Sequence, residues 1–236
     1  MVFKIAYCAG HHLGNPKGVP VSMGLGDIRE WTLNDRVANH FAKAAQEYEG
    51  VELLRTDDPT GRTLIEIRDR CALANQWGAD FYIDMHHNGG INGGTGGGVC
   101  AFSFPGSESG RQYRDAIYEA VIAAGGIKGN RAQPLIEKAF DSLRYSDMTA
   151  VLVEYGFMDS KTDAPIIVTD AYSKLVAYAT MDGIAKAAGL KKKSVSAPEQ
   201  TPDTVYRVQV GAFRSKQNAI NLRDELKEKG YDAFVV

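Results

Sequence analysis

Apolar residues along the chain fall into two alternating rhythms. Val2 to Cys8, Val51 to Arg55, Phe81 to Met85, Val99 to Phe104 and Thr149 to Phe157 are short, nearly continuous apolar runs. They read as buried strands. Between them, apolar positions recur every three or four residues, the spacing of one helix face. Leu33, Val37, Phe41, Ala45 and Tyr48 predict a helix from an N-cap at Asp27 to about Tyr48, stopped by Gly50. Leu64, Ile67, Cys71 and Ala74 predict a second helix over 63–77, ended by Gly78. Tyr113, Ile117, Ala120 and Val121 predict a third over 107–124. Tyr172, Leu175, Val176, Ala179 and Ile184 predict a last one over 170–189. Residues 127–146 carry no clear period, and a short helix over 135–140 is the reading they allow. Strands alternating with helices imply an α/β domain: a mostly parallel sheet with helices on both faces.

The rhythm breaks after this domain, which spans 1–190. Residues 191–203 begin with three lysines, contain two prolines and show no period, so they read as a linker. Residues 204–236 then give an alternating strand at 206–210, a helix over 215–229 and a second strand at 231–236. That is a small βαβ unit, too short to be stable alone.

Composition narrows the function. The 236 residues are 44% hydrophobic and 24% charged, ordinary for a globular protein. A formal net charge of −2 gives no electrostatic footprint for nucleic acid. No stretch is apolar for long enough to span a membrane. No basic start followed by an apolar core marks a secretory signal, so the expectation is synthesis in the cytoplasm with action elsewhere after release. Cys8, Cys71 and Cys100 are far apart and form no CxxC pair, which argues for reduced, buried thiols rather than a disulfide framework or thiolate zinc site.

Candidate chemistry gathers where strands end, the usual place for sites in open α/β sheets. The strand at 81–85 ends in His86-His87-Asn88, followed by a glycine-rich run from Gly89 to Gly98. His11 follows the first strand. Glu30 sits in the first turn of the next helix, where its ordinary role would be to back-bond to Asp27 in a capping box. Glu154 lies inside Val-Leu-Val-Glu-Tyr-Gly-Phe, where an ionised, unpaired carboxylate would cost several kcal/mol. It needs a partner: a metal site, or a salt bridge to Arg70 or Arg144. His87 is expected on the opposite strand face from His86, and His12 is read with it as beside the site or in solvent. Asn88 is expected to cap the turn or orient a ligand. Two imidazoles and a carboxylate form a common catalytic zinc set. The glycine run lacks Gly-Lys-Ser/Thr and is read as a flexible rim, not a phosphate loop. There is no Gly-x-Ser-x-Gly elbow.

Four separated stretches together resemble one family, the zinc-dependent N-acetylmuramoyl-L-alanine amidases of the amidase 3 type. They are Gly10-His11; Glu30; Arg70-Cys71-Ala72-Leu73-Ala74-Asn75 leading into Ile83-Asp84-Met85-His86-His87-Asn88; and Val151 to Phe157. The resemblance implies a twisted, mainly parallel sheet of about six strands. It implies that His11, Glu30 and His86 bind Zn2+ and that Glu154 is the catalytic carboxylate. The implied reaction is hydrolysis of the amide between N-acetylmuramic acid and L-alanine of the peptidoglycan stem. The chain departs from the family's usual pattern at Cys8-Ala9 and His12-Leu13 around the first ligand, and at Asp84 and His87, where serine and alanine are usual.

The tail from Tyr206 to Phe213, with its following helix, resembles half of a SPOR domain. That resemblance implies denuded glycan strands as a partner; with half of the unit present, either the chain is truncated or two tails complete each other in a homodimer. The absence of a visible signal suits a phage lysin released through a holin or a host autolysin freed by cell lysis. The competing readings are a zinc peptidase cutting within the stem, a wall-binding protein without catalysis, and a Rossmann-like enzyme, which lacks its glycine pattern.

Overall fold

The computed structural model describes residues 2–194 and 209–235. Most of the expected linker, and the expected strand at 206–210 as far as Val208, lie outside them. The chain divides into two compact units, Met1–Lys193 and Ser194–Val236.

In chain order the first unit runs β1 (Phe3–Ala9), β2 (Gly18–Val19), β3 (Ile28–Arg29), α1 (Glu30–Ala45), β4 (Val51–Arg55), α2 (Ile67–Trp77), β5 (Phe81–Asn88) and β6 (Cys100–Ser103). It continues with α3 (Glu108–Ala123), β7 (Leu135–Glu137), α4 (Asp141–Arg144), β8 (Thr149–Phe157), α5 (Ala164–Ile167) and α6 (Asp170–Ala188). Six strands form one sheet in the order β4-β1-β5-β8-β6-β7. β4, β1, β5 and β8 are mutually parallel; β6 runs antiparallel to β8, and β7 parallel to β6. The mostly parallel α/β sheet expected from the alternating rhythm is the one observed.

The period of two along each strand divides the core. Ile5, Tyr7 and Ala9 of β1, Phe81, Ile83 and Met85 of β5, and Val151, Val153 and Tyr155 of β8 share one cluster with apolar residues of α1, α3 and α6. Ala6, Cys8, Tyr82, Ala150 and Leu152 belong to a second cluster with Ala74 of α2 and Leu143 of α4. The covering helices of this second face are short, at 11 and 4 residues. The face therefore stays uncovered toward the C-terminal ends of β5 and β8.

Four boundaries differ from expectation, each for a local reason. Asp27 is not the cap of α1: Ile28 and Arg29 pair with Val19 and Gly18, so their backbone is extended and the helix opens at Glu30. α2 begins at Ile67 rather than near Thr63, because Asp58 accepts the backbone N–H groups of Thr60 and Thr63 and folds that segment into a turn. Its buried face is Arg70, Cys71 and Ala74, while Leu64 and Ile67 are 49% and 42% exposed. The short helix expected over 135–140 is instead strand β7, held by parallel pairing of Leu135–Glu137 with Ala101–Ser103, and α4 follows it. The fourth difference is β5, which runs on through His86 and His87 to Asn88.

In the second unit, α7 (Lys216–Glu228) is the expected helix. Residues 231–235 are not in a strand, since a strand needs a hydrogen-bonded neighbour and none of the described residues supplies one. No described residue of this unit is buried.

Candidate metal centre

The register of the two central strands builds the site. Cys8 pairs with Asp84 across β1 and β5, and His86 pairs with Glu154 across β5 and β8. Paired residues of parallel neighbours point to the same face, so Asp84, His86 and Glu154 line up at the uncovered end of the second face. Beyond His86 the register slips: Asn88 pairs with Phe157, one extra residue on β8. Gly156 takes φ 140° in this bulge, a conformation open mainly to glycine. The bulge ends the regular pairing immediately after Glu154, a common device beside active sites.

His11 lies just past β1 with φ 66°, the left-handed region that non-glycine residues enter at a cost. Arg70 of α2 holds it there. The buried guanidinium donates from Nη1 to the Ala9 carbonyl at 3.0 Å, from Nη2 to the His11 carbonyl at 2.7 Å, and from Nε to the Ile65 carbonyl at 2.8 Å. Gly10 between them leaves room for the His86 ring; a Cβ at this position would overlap it.

Glu30 comes in from the first turn of α1, where the helix dipole favours a carboxylate. It makes no capping box. Its Oε2 lies 3.1 Å from His11 Nε2 and its Oε1 lies 3.0 Å from His86 Nδ1. The His87 backbone N–H and the Asn34 amide also donate to Oε1, at 3.3 and 3.4 Å. One ligand atom from each of His11, Glu30 and His86 falls within 4.8 Å of the others. The two rings meet edge to face with centroids 5.0 Å apart.

Burial alone would raise the Glu30 carboxyl, but the hydrogen bonds from His11 and His86 outweigh it and hold it well below the usual carboxylate range. Asp84 is buried too, which opposes ionisation; the charge and hydrogen bond of His86 overcome this and lower it to about 2. Glu154 behaves in the opposite way. Burial raises its carboxyl to about 7, the charges of Glu30 and Asp84 push the same way, and His86 only partly offsets them. Its Oε2 is buried with no hydrogen-bond partner among the described residues, and no salt bridge to Arg70 or Arg144 forms there. Arg70 is committed to carbonyls and Arg144 is exposed.

This predicts a pH signature in the metal-free protein. Between pH 4.5 and about 7 folded Glu154 holds a proton that the unfolded chain has released. Its contribution to stability therefore falls as pH rises through that window, by a few kcal/mol at most. Urea melts of wild type and Glu154→Gln at pH 5 and pH 7.5 should show the glutamine variant gaining relative stability at the higher pH. An unchanged difference between the two proteins would contradict a raised Glu154.

His87 points away, as the strand period requires. It is buried with Nδ1 2.8 Å from Asn34 Oδ1, its ring near Tyr155, and burial lowers it to about 3. His12 is partly buried and belongs to no metal-holding cluster among the described residues. Asn88 caps the turn, its Oδ1 accepting the Gly89 N–H at 2.8 Å. The glycine run is a rim, with Gly89 lining the cavity, but it is tied rather than free. Asp159 accepts the N–H groups of Gly90 and Asn92, and Asp163 that of Gly98. These two aspartates escaped the sequence reading because their targets are backbone groups far away in the chain.

The four groups border a cavity of about 720 Å3, also lined by Lys17, Ile67, Asp84, Phe140, Ser142 and Asp159. All three cysteines are free and buried. A three-donor set of two imidazoles and one carboxylate fits a catalytic zinc ion, and its chemistry fits better than a calcium or magnesium site built from oxygens alone. The orphaned Glu154 Oε2 next to it suits a proton-transfer role.

Comparison with known proteins bears on the family and the fold. The sequence pattern of a family described as N-acetylmuramoyl-L-alanine amidase matches residues 5–186. That of the SPOR domain matches residues 184–236. The chain is 36% identical over 222 residues to a sporulation-specific N-acetylmuramoyl-L-alanine amidase of Bacillus subtilis (strain 168), covering 92% of this chain and 79% of that protein. It is 33% identical over 193 residues to an N-acetylmuramoyl-L-alanine amidase of Bacillus licheniformis, covering 80% and 69%. The crystal structure of an N-acetylmuramoyl-L-alanine amidase from Clostridium difficile 630 superposes with a TM-score of 0.71 at 21% identity, over 80% of this chain and 97% of that one.

Proposed function

Because the chain belongs to the family of N-acetylmuramoyl-L-alanine amidases, we propose that it is a zinc-dependent peptidoglycan hydrolase cutting the amide between N-acetylmuramic acid and L-alanine. The observation that carries this reading is the pairing of His86 with Glu154. It sets an unpartnered, buried carboxylate oxygen beside the His11–Glu30–His86 cluster.

His11, Glu30 and His86 are the residues that would hold the ion. Zinc bound there supplies Lewis acidity, polarising a carbonyl and bringing the pKa of water to about 7. Glu154 Oε2 takes the proton of the attacking water and returns it to the departing alanine nitrogen. The unpartnered Oε2 leaves the carboxylate free for both halves of that exchange. Arg70 keeps His11 in its strained conformation, and His87 and Asn34 fix Glu30 from behind. The cavity is large enough to admit a sugar and the first residue of a stem.

The SPOR match supports denuded glycan strands as the tail's ligand. The exposed apolar side chains of Val210, Phe213, Tyr231 and Phe234 suit pairing of two tails in a homodimer. The relatives' names, both N-acetylmuramoyl-L-alanine amidases, support a wall-degrading role.

Digestion of purified peptidoglycan with and without chelator, followed by mass analysis of the soluble products, tests the reading. The expected products are intact stem peptides with a free L-alanine amine, lost on chelation and restored by zinc. Fragments cut inside the stem would replace the amidase with a peptidase. Binding without release would leave a wall-binding protein.

A further inference from the structure

We propose that Asp84 is a positioning residue that decides which nitrogen of His86 faces the metal: it accepts a hydrogen bond from Nε2–H, keeping the proton there, and leaves Nδ1 as the donor atom. The inference rests on the metal reading above and concerns a position where the chain departs from the pattern it resembles.

Asp84 and His86 are two residues apart on β5 and share its uncovered face. Asp84 Oδ1 lies 3.1 Å from His86 Nε2, while Nδ1 of the same ring lies 3.0 Å from Glu30 Oε1. The imidazole is thus bracketed by two carboxylates. Turning the ring over would exchange both nitrogens for carbons and lose both contacts, so its orientation is fixed. A neutral imidazole carries one proton, and the nitrogen that keeps it is set by the hydrogen bond it makes.

Glu30 is part of the cluster, so the nitrogen beside it must be bare when a metal is held. The proton then belongs on Nε2, and Asp84 is the acceptor that keeps it there. The surroundings of Asp84 suit that task. Its Oδ1 also accepts from Cys8 Sγ at 2.9 Å, and Cys8 Sγ in turn accepts from the Tyr82 hydroxyl at 3.1 Å. Arg70, which is buried, spends its donors on the carbonyls of Ile65, Ala9 and His11 and makes no ion pair with Asp84 among the described residues. His11 presents Nε2 to Glu30, so the cluster is asymmetric: one imidazole offers Nε2 and the other Nδ1. A carboxylate behind a metal-holding histidine fixes the ring and raises its basicity.

The test uses the full chain labelled with 15N-histidine and loaded with zinc. Long-range 1H–15N spectra should show His86 protonated on Nε2 and ligated through Nδ1. Competition with a chromophoric chelator should show zinc bound about 10- to 100-fold more weakly by Asp84→Ala, with Asp84→Asn between the two. Wild-type spectra showing His86 ligated through Nε2 would overturn the proposal even if neither variant folds. So would zinc affinities for both variants within about twofold of wild type, against the 10- to 100-fold expected of an orienting partner. Wild type that fails to bind zinc would instead remove the metal reading itself.

Discussion

Replacing Glu154 with glutamine lowers the rate of wall hydrolysis by about 100- to 10,000-fold and leaves the zinc content of the protein unchanged. The size follows from the role. Glutamine keeps the shape of the side chain but can neither take a proton from water nor return one to the departing nitrogen. The unchanged metal content follows from the geometry, because the cluster within 4.8 Å consists of His11, Glu30 and His86 and does not need Glu154. The variant should also fold at least as well as wild type at neutral pH, since a half-buried carboxylate with one buried, unpartnered oxygen is replaced by a neutral group. Product release measured by mass, alongside metal analysis of the same sample, checks both halves. A Glu154→Gln protein with near wild-type turnover would remove Glu154 from the chemistry.

Glu30→Ala has the opposite signature: zinc is lost first and activity follows. In the metal-free protein Glu30 contacts both His11 and His86 and accepts from the His87 backbone and Asn34, so it is itself held in place to supply a donor. Its removal should weaken zinc binding by more than the roughly 10- to 100-fold typical of an orienting partner alone. Chelator competition measures this directly. Excess zinc should restore part of the activity of Glu30→Ala and none of that of Glu154→Gln. Undiminished zinc affinity in Glu30→Ala would mean that the metal sits elsewhere.

The sequence made much of this legible because the strands announce themselves. The apolar run Thr149–Phe157 coincides with β8, and its one carboxylate is conspicuous among apolar neighbours. The period of two correctly separated His86 from His87. What escaped was set by tertiary pairing. The cap of α1 was misplaced because a two-residue ladder between β2 and β3 claims Ile28 and Arg29 first. β7 looked like a helix because three residues carry too little pattern to reveal a neighbour in β6. Arg70 was considered as a salt-bridge partner for Glu154, yet its donors go to main-chain carbonyls, which no side-chain pattern announces. Asp84 stood out only as a departure from the family's serine; its contact with the far nitrogen of His86 is visible only in three dimensions.

The sheet order carries a consequence for how the protein is made. β8 lies between β5 and β6, although both of those strands precede it in the chain. During synthesis β6 and β7 therefore have no seat in the sheet until β8 has emerged to join them to β5, and Glu154 cannot stand next to His86 before then. A chain that ends before β8 lacks both Glu154 and the strand that pairs with His86. A ribosome stalled before the last central strand therefore yields a chain with neither Glu154 nor a complete sheet.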